Sequence, residues 1–489
     1  MTVIRPNSIS GINSITANGG DVNLFRADGT AADVTVNNIT SGIITGTHYG
    51  SGANLTSLPA GQLTGTVADA RLSTVSSSKL SGALPALDGS ALTGVGASFG
   101  NSSVNTSGII TATAFVPTAQ GSLSHRNLIY NGAMMVAQRG TSSTSSGYHT
   151  VDRFNVQFGG TDEAMTVEQA NVASGTTPYT LGFLKCLKVT NGNQTSGAGG
   201  GDWLEIYQYL EDQDICNSGW NFKSATSYLT ISFWVKSSVS QKFAGFFYTN
   251  TAGAGNSYTY SYQIDNGSGG NLSADTWTKI THKIPGSSSL TFNNDNTRGF
   301  AVGIFPFDGT DYTTSGHTEE TWQQWSSSNK LKDMDSTWWT TNDATFELTG
   351  LQLEVGLVAT PFEHRSFGEE LERCRRYYQV ILDRSTDSGD DSGLGGTPYT
   401  GASGGVYVPV RFNPPMRTKP TAESSSAGNE FRTRHGDLVN FDNFSGFNTW
   451  SRHGGTLITS TAGNKVVGDY YWIETDQGAA KLAVSADFA

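Results

Sequence analysis

The hexapeptide Thr-Ser-Gly-Ile-Ile-Thr occurs twice, as Thr40–Thr45 and Thr106–Thr111, and two looser cassettes lie between the copies. One runs Ala53-Asn54-Leu55-Thr56-Ser57-Leu58 into Gln62-Leu63-Thr64-Gly65-Thr66, the other Lys79-Leu80-Ser81-Gly82-Ala83 into Ser90-Ala91-Leu92-Thr93-Gly94. Each unit offers one or two aliphatic side chains per turn. That is too little to offset roughly 1–2 kcal/mol of backbone entropy per ordered residue. Repeats of this kind either stack on neighbours and intertwine with identical chains, or serve as disordered linker. The regular return of the aliphatic positions favours the first reading.

Composition sharpens the division of the chain. Charged residues are 15% of the 489 and glycines number 59, a balance suited to short strands and turns. All ten Trp lie beyond position 200, whereas residues 1–125 hold four aromatics, Phe25, Tyr49, Phe99 and Phe115. The net charge of −12 argues against a nucleic-acid partner, because phosphate binding needs clustered Lys and Arg. No run of eighteen apolar residues is present, the start Met1-Thr2-Val3-Ile4-Arg5-Pro6 has no apolar signal core, and membrane insertion is not expected. Cys186, Cys216 and Cys374 are odd in number and widely spaced, so the expectation is synthesis in a reducing cytoplasm with no disulfide framework.

The pattern gives five segments. Residues 1–35 read as a small N-terminal β unit, with turns at Gly19-Gly20 and Asp28-Gly29, and 36–125 as the repeat shaft. Residues 126–365 read as a large antiparallel β-sandwich, jelly-roll-like, whose strands include Asp152–Phe158, Tyr228–Lys236, Trp277–Ile284 and Phe346–Glu354. Residues 366–382 read as one connecting helix. A capping box, Ser366-Phe367-Gly368-Glu369, opens it, and Phe367, Leu371, Cys374 and Tyr378 form an apolar seam. The pairs Glu369–Arg373 and Glu372–Arg376 are spaced to support it. Such a helix packs either on its own sandwich or in a coiled coil with other copies. Residues 383–489 read as a C-terminal β tip domain.

Several phrases resemble tail-fibre and receptor-binding proteins of tailed bacteriophages, of the marine and cyanobacterial type. Ser107–Phe115 and Ala68–Leu72 look like their shaft repeats, and Asn127–Met134 followed by Val151–Phe154 resembles the opening of a β domain common in these fibres. Gln352–Gly356 with Ala359–Arg365 resembles its close, Glu372–Gln379 the helix after it, and Phe412–Pro420 the start of a tip. The resemblance implies an elongated homotrimeric fibre in the virion, bound to a phage tail or baseplate protein by its N-terminus. Its C-terminal parts would touch host surface polysaccharide or lipopolysaccharide. The family has no shared set of binding residues to carry over.

Enzyme chemistry finds little support. The acidic runs Glu211-Asp212-Gln213-Asp214 and Asp387–Asp391 read as solvated loops, not as the paired carboxylates of a polysaccharide-cleaving spike. The His317 and His435 neighbourhoods lack a nucleophile elbow, and Asp308-Gly309-Thr310-Asp311 offers too few oxygens for Ca²⁺. No catalytic residue, cofactor or metal site is expected. Aromatic residues flanked by amides and carboxylates suit the apolar faces of sugar rings better. Two clusters qualify. One is the Trp322–Trp339 segment, with Trp322 and Trp325. The other is the Asp437–His453 loop, with Asp442, Asn443, Phe444 and Trp450. Ordinary core packing is the competing reading for both. The functional expectation is non-catalytic, multivalent glycan binding. The alternatives are a baseplate connector or decoration fibre that binds no host, and a depolymerase spike.

Overall fold

The computed structural model describes residues 125–250 and 257–384, separate stretches of 393–488, and Asp28 and Thr30. The chain divides into two units, Met1–Ile109 and Ile110–Ala489, and the elements named here belong to the second. The N-terminal β unit and the shaft repeats, apart from Asp28 and Thr30, lie outside the described residues, as do Asp387–Asp391, Asp442 and Asn443.

The first body is a β-sandwich. Its strands are β1 (Ser142–Ser143), β2 (Asn155–Gly159), β3 (Thr166–Asn171), β4 (Lys185–Thr190), β5 (Trp203–Glu211), β6 (Tyr228–Ser237), β7 (Phe243–Thr249), β8 (Tyr258–Ile264), β9 (Thr278–Pro285), β10 (Arg298–Asp308), β11 (Gln323–Gln324) and β12 (Thr345–Val355). They form two six-stranded antiparallel sheets, ordered β1-β3-β4-β12-β6-β9 and β11-β8-β7-β10-β5-β2. Alternation decides which side chains meet between them. Leu229, Ile231, Phe233 and Val235 of β6 face Phe243, Phe247, Phe300, Val302 and Ile304 of the other sheet in one continuous core. The turn at Asn266–Gly270 fits the expected break. Gly267 and Gly269 take φ of +82° and +78°, and the Asn266 Oδ1 accepts from the amides of Ser268 and Gly270.

Three expectations are corrected here. The segment Asp152–Phe158 begins as strand only at Asn155, because Arg153 sits at φ +73° and turns the chain out of extended geometry. The helix spans Phe367–Arg375 and not 366–382. Ser366 Oγ does accept from the Glu369 amide, and Glu369 pairs with Arg373. However, the Tyr377 amide donates to the Cys374 carbonyl in a tightened last turn, and Tyr378–Asp383 continues as strand. Phe367 is consequently exposed, and Arg376 leaves Glu372 for Glu211. Glu211 and Asp212 are fully buried, so the first acidic run is no solvated loop.

The C-terminal body is also β. Its strands are β13 (Tyr378–Asp383), β14 (Gly393–Leu394), β15 (Tyr399–Thr400), β16 (Val406–Arg411), β17 (Thr421–Ser424), β18 (Phe431–His435), β19 (Asp437–Phe441), β20 (Phe444–Ser451), β21 (Gly454–Thr459), β22 (Trp472–Thr475) and β23 (Lys481–Ser485). They form sheets β13-β23-β17, β14-β22-β18-β19 and β15-β16-β21-β20 around a core that includes Val406, Val408, Leu457, Ile473 and Leu482. The segment Asp437–His453, expected as a long loop, is mostly strand: β19 pairs with β18, and β20 pairs with β21 along its whole length. Ladder pairing overrides the weak strand preference of its Asn and Gly residues.

The two bodies are clamped together by charge and aromatic stacking. Asp487 accepts from Arg153 Nη1 at 2.6 Å and from Arg139 Nη2 at 2.8 Å. The Arg153 guanidinium, 1% exposed, lies 3.3 Å from the Tyr377 ring centroid, and Phe488 packs beside Tyr209 and Tyr377. Asp152 adjoins this junction, accepting from the Gln138 amide at 2.8 Å, and burial pushes its carboxyl up to about 6. A carboxyl raised on folding opposes stability above its folded pKa, and that penalty fades as pH falls through about 6. Asp152→Asn should therefore be more stable than the natural chain at pH 8, by on the order of 2 kcal/mol, and equal to it near pH 4. Denaturant melts at both pH values check this, and a gap independent of pH would refute it.

Candidate glycan-binding site

The central strands of the second sheet, β5, β7 and β10, carry apolar side chains on both faces, and the face turned away from the sandwich core holds the site. On β5, Leu204, Ile206 and Leu210 point into the core, and Glu205, Tyr207 and Tyr209 point outward. On β7, Phe246 and Tyr248 point outward, and on β10 Ala301 and Phe305 do. Gly303 lies opposite Tyr207 on one side and Phe246 on the other. A Cβ there would come within 2.6 Å of the Phe305 ring. Its absence lets Phe305 approach Tyr207 and Phe246 at centroid distances of 5.1 and 4.9 Å.

The chain between β10 and β12 returns across this face and is pinned at several points. The Lys330 amide donates to the Tyr312 carbonyl, and the Trp325 amide to the Ser257 carbonyl. His317 joins the Ser261 hydroxyl at 2.7 Å to the Asn329 amide oxygen at 2.9 Å, fastening the segment to β8. The buried Lys330 ammonium is held by Glu205 and by Asp308 Oδ2, the latter at 2.9 Å, and lies 4.5 Å from the Tyr312 ring. Burial works to lower this ammonium, but Asp308 and Glu205 outweigh it and hold it above its ordinary value. Burial and the neighbouring Glu205 carboxylate raise the Asp308 carboxyl, as expected of two acids that share one lysine. Asp308 is thus engaged by Lys330. Among the described residues no group of three His, Cys, Asp or Glu side chains lies close enough to hold a metal ion.

Between sheet and returning segment lies a cleft of about 400 Å³. Its floor is Tyr207, Tyr209 and Phe246, its polar lining includes Gln157, Glu205, Arg298, Ser327 and Lys330, and Tyr248, Tyr312 and Trp325 line it as well. Trp325 is 44% exposed and lies 5.9 Å from Tyr248 at 58°. Arg298 stacks 4.8 Å from the Tyr209 centroid, and with the Asn250 amide in its hydrogen-bonded orientation Oδ1 accepts from its Nε and Nη2 at 3.1 Å. Fixed rings beside amides, hydroxyls and a carboxylate can take an apolar sugar face and the hydroxyls around its edge.

Of the described residues singled out from sequence, the structure brings Trp325 alone into this cleft. Trp322 is half-buried against the core, its Nε1 donating to the Pro285 carbonyl at 2.7 Å and its ring 5.4 Å from Tyr260. Trp338 and Trp339 are wholly buried, their indole nitrogens donating to the Thr345 and Gly197 carbonyls. Phe444 is buried edge-on against Phe431 in the C-terminal core, which corrects its expected place on a recognition loop. Trp450 is half-buried, with the Lys419 ammonium 4.8 Å from its ring. The cleft residues of β5, β7 and β10 were missed. Their signal was present in Trp203–Glu211 and Phe243–Thr249, which place large apolar residues on both faces and not on one.

No family model matches the chain, and no curated protein matches it. Several solved structures align over about half of it. A candidate sugar-binding protein from Bacteroides thetaiotaomicron is 9% identical, with 47% of this chain and 99% of that one covered, at a TM-score of 0.24. The CBM22-1 xylan-binding domain of Paenibacillus barcinonensis Xyn10C is 11% identical, covering 45% and 94%, at 0.21. The family 11 carbohydrate-binding module of the Clostridium thermocellum cellulase Lic26A-Cel5E is 13% identical, covering 46% and 98%, at 0.21. Likeness this distant has no bearing on what the chain binds.

Proposed function

We propose that this chain is a tail fibre of a tailed phage that attaches the virion to its host by non-catalytic binding of surface glycan in the outer-face cleft. The observation that carries the reading is Trp325, half-exposed beside Tyr248 above a floor of fixed aromatic rings, with Glu205 and Gln157 alongside. Trimerisation through the repeats of residues 36–125 would join three such clefts. Linked sites raise avidity by ~10²–10⁴ without new contacts where geometry lets them engage together. The N-terminal segment would dock on a tail or baseplate protein.

Trp325→Ala is expected to weaken binding of the purified fibre to host cells by roughly tenfold or more per site, as for a central aromatic anchor. Trp450→Ala is expected to change it little. The reverse result would move the contact to the C-terminal body. Absence of host binding by the natural chain would favour a connector, and release of oligosaccharide from host envelope would favour a depolymerase.

A further inference from the structure

The charges of the cleft restrict which glycans it takes. Its two cations are already engaged. Lys330 is shared by Glu205 and Asp308, and Arg298 lies on the Tyr209 ring with the Asn250 oxygen bound to its guanidinium. An acidic sugar seeking Lys330 would have to displace a carboxylate from a buried ion pair, which is strongly unfavourable. One seeking Arg298 would have to displace the Asn250 oxygen or the Tyr209 ring from its guanidinium. It would also face the Glu205 carboxylate in a chain of net charge −12, whose field disfavours the approach of a polyanion. The groups left to act are aromatic faces, the Gln157 amide, the Ser327 and Tyr312 hydroxyls, and Glu205 as an acceptor held in place by Lys330.

Resting on the function proposed above, we infer that the cleft is selective for neutral saccharides: an uncharged sugar ring against Trp325 and Tyr248, with ring hydroxyls donating to Glu205. Specificity then comes from the direction of neutral hydrogen bonds, and binding is insensitive to salt, since no ion pair forms between protein and ligand.

The test uses the full chain against immobilised neutral glucans, galactans and mannans on one side, and polygalacturonate and alginate on the other. Measurements are made at roughly 0.05 and 0.5 M NaCl, a range over which the screening length falls severalfold. The expected result is binding confined to neutral polymers, altered less than about twofold by salt, lost in Trp325→Ala, and weakened about tenfold or more in Glu205→Gln. Lys330 keeps Asp308 in Glu205→Gln, so an unchanged far-UV spectrum identifies the loss as one of recognition. Where that variant melts early, the half-exposed Trp325, whose removal leaves the Lys330 ion pairs intact, carries the test alone. Salt-sensitive binding of the acidic polymers that disappears in Trp325→Ala would overturn the inference and leave the cleft as the site. Binding of any polymer that persists in Trp325→Ala would overturn the cleft reading itself, and binding of neither class would overturn both.

Discussion

Asp487→Ala should lower the stability of the 110–489 unit by about 3–5 kcal/mol, although it alters a residue near the end of the chain. This is the range measured when one partner of a buried ion pair is removed. Asp487 is the shared acceptor for Arg153 and Arg139, whose side chains are 1% and 9% exposed. Arg153 retains its donation to the Tyr209 carbonyl and its cation–π contact with Tyr377, which offset only part of the lost carboxylate. The alanine variant therefore leaves a buried cation without the carboxylate that pairs with it. The expected reading is a fall in Tm of at least about 5 °C, with the calorimetric transition broadening as the C-terminal body loosens from the sandwich. Asp487→Asn keeps the shape and one acceptor and should recover part of the loss. A variant melting within a degree of the natural chain would show that the junction does not depend on the Asp487 carboxylate.

What the sequence made legible depended on how far apart the interacting residues lie. Tyr228–Lys236 alternates throughout and Phe346–Glu354 alternates on either side of an irregularity at Gly350, each feeds one core, and the strands formed close to where the pattern places them. The Glu369–Arg373 pair, four residues apart, also formed. Contacts across hundreds of residues left no local trace. Nothing around Asp487 points to Arg153, and nothing around Lys330 points to Glu205, because a salt bridge sets no periodicity in either segment. Length misled at the helix. The seam through Tyr378 has helical spacing, yet Tyr377 and Tyr378 have stronger partners in Glu211 and in the strand ending at Ser485. The Trp cluster was legible as a cluster but not by destination. Indoles 338 and 339 are buried while 325 is exposed, and the difference lies in which turn of the returning segment crosses the sheet.

The same logic of distance makes Glu211 the second position of large effect. It ends β5, is wholly buried, and accepts from Arg376 Nε and Nη2 at 2.6 and 2.7 Å, from the Tyr377 hydroxyl at 2.6 Å and from the Gln213 amide at 2.6 Å. Replacing it with Ala strands the fully buried Tyr377 hydroxyl, an orphan worth about 1–3 kcal/mol, and removes the charge opposite Arg376. Arg376 is 27% exposed and can recover part of its solvation, so the whole loss should be about 3–4 kcal/mol, below that of a fully enclosed pair. Glu211→Gln should cost about half as much, since an amide oxygen still accepts from the phenol. A double-mutant cycle with Tyr377→Phe separates the contributions and should give a coupling of about 1–3 kcal/mol. Coupling near zero would mean that the phenol–carboxylate contact contributes nothing net. The effect should reach the cleft as well. Tyr209 leans on Phe488 at one end and carries Arg298 at the other, so a junction loosened at Glu211 frees the aromatic floor on which a sugar would rest. Glycan affinity should therefore fall in Glu211→Ala although the residue touches no ligand, and it should recover in Glu211→Gln in step with stability.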